Sequence, residues 1–89
     1  MKVIKIGATW CSGCLVMKPR WQKIEHDHSW LQTEYLDFDE DAEQVKSLQV
    51  GDKLPVFIFL DKDGQEIDRK VGEITEEEIL DLITKYKDK

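Results

Sequence analysis

Apolar and polar positions change period several times along this chain, and each change marks an element. Val3 to Ala8 is a short β-branched run that leads into a Trp-Cys step, which predicts a strand ending at two cysteines. From the second cysteine to about Glu25 the residues Leu15, Met17, Trp21 and Ile24 fall at helical spacing. They predict a helix whose first turn holds Cys11 to Cys14. Pro19 lies inside that helix, where a proline costs about 3 kcal/mol that packing has to offset. Thr33 to Asp39 alternates cleanly, and its acidic side, Asp37 and Asp39, suits an edge strand. Ala42, Val45 and Leu48 follow the acidic cluster Asp39-Glu40-Asp41 and predict a short helix with matched dipole, ended by Gly51. Val56 to Leu60 is unbroken apolar sequence and reads as a strand buried on both faces. Asp61-Lys62-Asp63-Gly64 turns the chain into an antiparallel partner, Glu66 to Val71. The final helix is the best signalled. Thr75 and Glu78 form a capping box, Ile74 and Ile79 a hydrophobic staple, and Ile79, Leu82, Ile83 and Tyr86 its buried face. The order is βαβαββα, an α/β pattern.

Length and charge narrow the class. At 89 residues the chain suits one domain, residues 1–89, with a modest core that needs no disulfide framework. Thirteen basic against 19 acidic residues give a net charge of −6, which argues against nucleic acid or an anionic membrane surface as partner. Lys5 interrupts the N-terminal apolar run before it reaches the length of a secretory signal, and no apolar stretch approaches the ~20 residues of a membrane span. A cytoplasmic monomer without a cofactor is the expectation.

Trp10-Cys11-Ser12-Gly13-Cys14 carries the candidate chemistry. Two thiols separated by two residues at a strand-to-helix junction can close a disulfide across one helical turn. Such a small loop stabilises a fold by only about 2 kcal/mol before strain, so reactivity is the better motive. Cys11 is placed where free backbone N–H groups and the helix dipole favour a thiolate, which makes it the expected nucleophile. Cys14, a turn later and facing inward, is the expected resolving thiol.

At these residues the chain resembles the thioredoxin family. The likeness rests on Trp10-Cys11-Ser12-Gly13-Cys14, on Pro19, on Leu54-Pro55 before the third strand and on Val71-Gly72 after the fourth. The resemblance implies a shortened thioredoxin-like fold of glutaredoxin size, a four-stranded mixed sheet flanked by three helices, without the family's usual N-terminal strand and helix. It implies a cis Pro55 facing the disulfide and a Leu54 backbone that pairs with an extended substrate. Trp10, Leu54, Val71 and Gly72 would then form the patch that docks a protein partner around Cys11. The implied activity is thiol-disulfide exchange with protein disulfides, in the reducing direction, with a reductase or glutathione as electron donor. Two departures stand out. Ser12-Gly13 replaces the family's usual dipeptides, and Lys5 occupies the place where thioredoxins carry a buried Asp. Lys5 either reaches solvent or pairs with an acid such as Asp37, or its charge tunes thiol reactivity in the absence of that Asp.

Two other readings remain open. A C-x-x-C pair before a helix also occurs in copper and zinc carriers, whose element order is βαββαβ, and a thioredoxin-fold module can bind partners without turnover. His26 and His28 lack the H-x₃₋₅-H spacing of zinc fingers and read as solvated residues near a helix end. Asp61-Lys62-Asp63-Gly64 lacks the spacing of a calcium loop and reads as a plain turn.

Overall fold

β-branched and aromatic residues build a sheet whose two faces take different helices. The computed structural model describes residues 1–89, with β1 (Lys2–Gly7), α1 (Ser12–Asp27), β2 (Gln32–Asp37), α2 (Ala42–Ser47), β3 (Val56–Leu60), β4 (Glu66–Val71) and α3 (Glu76–Tyr86) in that order. The four strands lie in the order β2-β1-β3-β4. β1 runs parallel to β2 and antiparallel to β3, and β4 is antiparallel to β3, so the sheet is mixed. β2 is an edge strand, as its acidic side suggested.

Period-two alternation decides what each face packs against. Val3, Phe57 and Phe59 meet Met17, Trp21 and Ile24 of α1, Ile79 and Ile83 of α3, and Ile74, in one nine-residue core. Ile4, Ile6, Leu36, Val56 and Ile58 point the other way and meet Val45 of α2. β3 is therefore buried on both faces along Val56 to Phe59. α3 starts at a complete capping box, in which the Thr75 hydroxyl oxygen accepts the Glu78 N–H at 3.1 Å and the Glu78 carboxylate accepts the Thr75 N–H at 3.3 Å. Ile74 and Ile79 of the expected staple both lie in the core.

Three local readings need correction. Leu15 is 63% exposed, because the buried stripe of α1 runs through Met17, Trp21 and Ile24 and leaves residue 15 on the outer side. β2 stops at Asp37, short of Asp39, because the Asp37 carboxylate accepts the N–H groups of Asp39 and Glu40 at 2.9 and 3.0 Å and so folds the chain into a turn. α2 ends at Ser47, well before Gly51. Gln49 takes a left-handed conformation (φ 57°), and the Arg69 guanidinium of β4 donates to the carbonyls of Leu48 and Gln49 at 2.7 and 3.1 Å. Of the tryptophans only Trp21 is a core residue; Trp30 stays at the surface, edge-on to His28.

Candidate active site

The end of β1 delivers Cys11 directly to the start of α1. Cys11 is the N-cap, and its Sγ accepts the Cys14 N–H at 3.2 Å, which satisfies one of the helix's free donors. That hydrogen bond and the helix dipole act on Cys11 together, and both favour its anionic form. The sulfurs of Cys11 and Cys14 are paired as a disulfide, with the two Cα atoms 5.3 Å apart. Side-chain burial does not separate the two thiols in the expected way, since Cys11 is buried and Cys14 is half-buried. The distinction lies in their surroundings: Cys11 takes the amide hydrogen bond, and Cys14 lines a cavity.

Pro55 closes one side of the pair. The Leu54–Pro55 peptide bond is cis. A Cβ placed on Gly13 would lie 3.3 Å from the Pro55 ring, so the turn between the cysteines rests directly against this proline. The Pro55 carbonyl accepts the Gly72 N–H at 2.7 Å, and Gly72 holds φ at 94°, a conformation glycine adopts without penalty. Val71 beside it is exposed, whereas Leu54 is half-buried against the α2-side core. Trp10 is 60% exposed and is pinned: its indole N–H donates to Asp39 at 2.8 Å, and its ring meets Phe38 edge-on at 5.9 Å. Trp10, Pro55, Val71 and Gly72 are all carried on the segments that end beside the thiols.

Lys5 has a partner, but not Asp37. Its ammonium donates to the Glu25 carboxylate of α1 at 2.6 Å, and both side chains are largely shielded from solvent. Asp37 is committed to the turn after β2 instead. Any influence of Lys5 on the thiols is therefore exerted as one half of an ion pair with Glu25. Lys5 also lies 5.8 Å from the centre of the Trp21 ring. Lys5, Glu25, Tyr35 and Trp21 line, together with Cys14 and Pro55, a cavity of about 410 Å³.

Four residues of this site went unrecognised in the sequence. Asp39 anchors Trp10, although its acidic neighbourhood pointed to an edge strand and to the start of the following helix. Glu73 lies with its side chain against the Gly13 position, 3.3 to 3.4 Å from a Cβ built there. Glu25 and Tyr35 join Lys5 beneath Cys14. Tyr35 stands opposite Lys5 in the register of β1 and β2, a pairing that only the folded sheet makes.

Comparison with known proteins agrees with this geometry. Residues 1–85 match the thioredoxin family. The chain is 33% identical over 70 residues to thioredoxin-like 3-3 of Arabidopsis thaliana, covering 79% of this chain and 52% of that protein. It is 34% identical over 71 residues to a thioredoxin of Malassezia sympodialis, covering 79% and 67%. The chain thus spans between about half and two thirds of the length of these curated relatives. Mitochondrial thioredoxin 3 of Saccharomyces cerevisiae superposes with a TM-score of 0.81 at 29% identity, over 93% of this chain and 76% of that one. A thioredoxin of Nicotiana alata does so with a TM-score of 0.83 at 29% identity, over 96% and 73%. With its βαβαββα order, mixed sheet and paired cysteines at the first helix, the chain belongs to the thioredoxin family.

Proposed function

We propose that this protein is a thiol-disulfide oxidoreductase that reduces disulfides in protein substrates. One observation carries the reading: Cys11 caps α1 and accepts a backbone N–H on its sulfur, the arrangement that keeps a thiol ionised and reactive near neutral pH. Cys11 attacks the substrate disulfide and forms a mixed disulfide. Cys14 then attacks Cys11 and releases the substrate as a thiol, leaving the Cys11–Cys14 disulfide. Pro55 positions the substrate, and the exposed Trp10 and Val71, with Leu54 and Gly72, supply the docking patch. A reductase or glutathione returns the pair to the dithiol, and the cytoplasm, where such donors keep thiols reduced, is the location we assign. The βαβαββα order supports this reading over a metal carrier.

The test is reduction of insulin disulfides with dithiothreitol as electron source. Acceleration is expected from the native protein and none from Cys11→Ser. Cys14→Ser should retain mixed disulfides through Cys11, since resolution is lost while attack remains. Equal trapping by Cys11→Ser would reverse the two roles. Equilibration with glutathione buffers is expected to give a potential between about −270 and −180 mV, the interval between thioredoxin and protein disulfide isomerase.

A further inference from the structure

Resolution of a mixed disulfide needs the Cys14 thiol to lose a proton, and the family's usual carboxylate is replaced here by Lys5, whose charge Glu25 already offsets. The surroundings of Cys14 include the Tyr35 hydroxyl, which makes no hydrogen bond within the protein and shares the cavity that Cys14 lines. A Cβ built on Gly7 would lie 3.1 Å from Cys14 Sγ and 3.1 Å from the Tyr35 hydroxyl oxygen. The bare backbone of Gly7 is thus what lets both atoms approach the same point, at most about 6 Å apart, a gap that one water can bridge. No direct hydrogen bond joins them in the disulfide form. Tyr35 has the orientation it needs because β1 and β2 pair in register, Lys5 with Tyr35 and Gly7 with Asp37. The cavity they share has the character of a wet one: Trp21, which also lines it, has a buried indole N–H with no protein partner.

We propose, on the reading of the protein as an oxidoreductase, that the Tyr35 hydroxyl donates a hydrogen bond to the Cys14 thiolate, directly once the disulfide opens or through one water, and thereby speeds substrate release. The chemistry balances. In the mixed disulfide the Cys14 thiol gives its proton to cavity water; the thiolate attacks Cys11 Sγ, the Cys11–Cys14 bond forms, and the Cys11–substrate bond breaks. The substrate sulfur leaves with the electron pair and takes a proton from solvent. Tyr35 keeps its own proton throughout and acts as a donor only. Tyr35 is 55% exposed, yet desolvation of its hydroxyl, with Asp37, Glu40 and Asp41 nearby, holds the phenol above the usual value and so keeps it protonated. The charged groups lining this space are Lys5 from β1 and Lys18 and Glu25 from α1; Asp37 at the end of β2 and Glu40 and Asp41 in the turn that follows act on the Tyr35 hydroxyl from outside it.

The experiment mixes fully reduced protein with one equivalent of dithiobis(nitrobenzoate) in a stopped-flow instrument. Attack by Cys11 releases one thionitrobenzoate in a concentration-dependent phase, and resolution by Cys14 releases the second in a concentration-independent phase. Tyr35→Phe should leave the first phase unchanged, which also reports an intact site. It should slow the second about tenfold and move its pH midpoint upward, as expected for loss of a hydrogen bond to an anion. Gly7→Ala, which inserts a methyl group between the two atoms, should slow the second phase in the same way. A second phase in Tyr35→Phe with the rate and pH midpoint of the native protein overturns the inference and leaves the oxidoreductase reading standing. Failure of the native protein to release either thionitrobenzoate overturns both.

Discussion

The two faces of the sheet are built from the same alternating strands and put to different uses. On the α2 face, Ile4, Ile6, Leu36, Val45, Val56 and Ile58 close into an apolar cluster, and charge enters only at the margin, where Arg69 caps the end of α2. On the α1 and α3 face, the nine-residue core gives way towards the cysteines to a cavity holding the Lys5–Glu25 pair and the Tyr35 hydroxyl. Complete packing on one face secures the fold, and incomplete packing on the other leaves a cavity beside Cys14. A small domain has few kcal/mol to spare, so a cavity on one face has to be offset by full packing on the other.

The largest expected effect tests that division. Ile58→Ala removes a fully buried side chain from the α2 face and should cost about 3 kcal/mol of stability, read from urea unfolding. The folded fraction should keep its alkylation rate at Cys11. A changed rate would mean that the two faces are not independent.

The Lys5–Glu25 pair sharpens the same comparison from the other side. Lys5→Met leaves a carboxylate in the cavity and should raise the apparent pKa of Cys14 by about one unit; Glu25→Gln leaves an ammonium and should lower it by a similar amount. The double variant should return close to the native value. Measurement follows the pH dependence of thiol alkylation, and shifts of the same sign in both single variants would sink the idea that the pair acts as a compensated unit.

Thr75→Ala is expected to cost about 1 kcal/mol through loss of the α3 cap, with disulfide exchange unchanged. Lost activity at undiminished folding would show that the whole α1 and α3 face, and not only its cavity, serves the chemistry. The smallest effect concerns Tyr86 and Asp68, which meet at 2.7 Å. Partial burial pushes the Asp68 carboxyl up, but the Tyr86 hydroxyl, the Arg69 N–H and nearby Lys70 and Lys85 outweigh it and hold it below the usual range. Its contribution is therefore present above the ordinary carboxylate pKa and is lost as pH falls through the lower folded value. The hydrogen bond to Asp68 raises the Tyr86 phenol, so that contribution is lost only as pH rises above the ordinary phenol value. Tyr86→Phe should shift acid unfolding slightly towards neutral pH, and an unmoved acid transition would assign the pair no role in stability.

Much of this division was legible in the sequence because it is local. The strand periods, the box from Thr75 to Glu78 and the Cys11–Cys14 spacing each depend on residues within a few positions of one another, and each was recovered. The partner of Lys5 was not, because Glu25 is 20 residues away and reaches it only once α1 has docked on the sheet. The α2 terminus was misplaced for a similar reason: the guanidinium that caps it comes from β4. Tyr35 looked like an ordinary strand aromatic, and its meaning depends on what Gly7 lacks.

Gly13 constrains how this protein can diverge. A side chain there would press on the Pro55 ring and on the exposed Glu73 side chain at once, each 3.3 Å from its Cβ, and both would have to yield by a few tenths of an ångström. A substitution in the turn between the cysteines is therefore felt at Pro55 and at the segment that follows Gly72. The turn between the cysteines and the segment after Gly72 are thus sterically coupled, so a larger residue at position 13 calls for a smaller one at position 73.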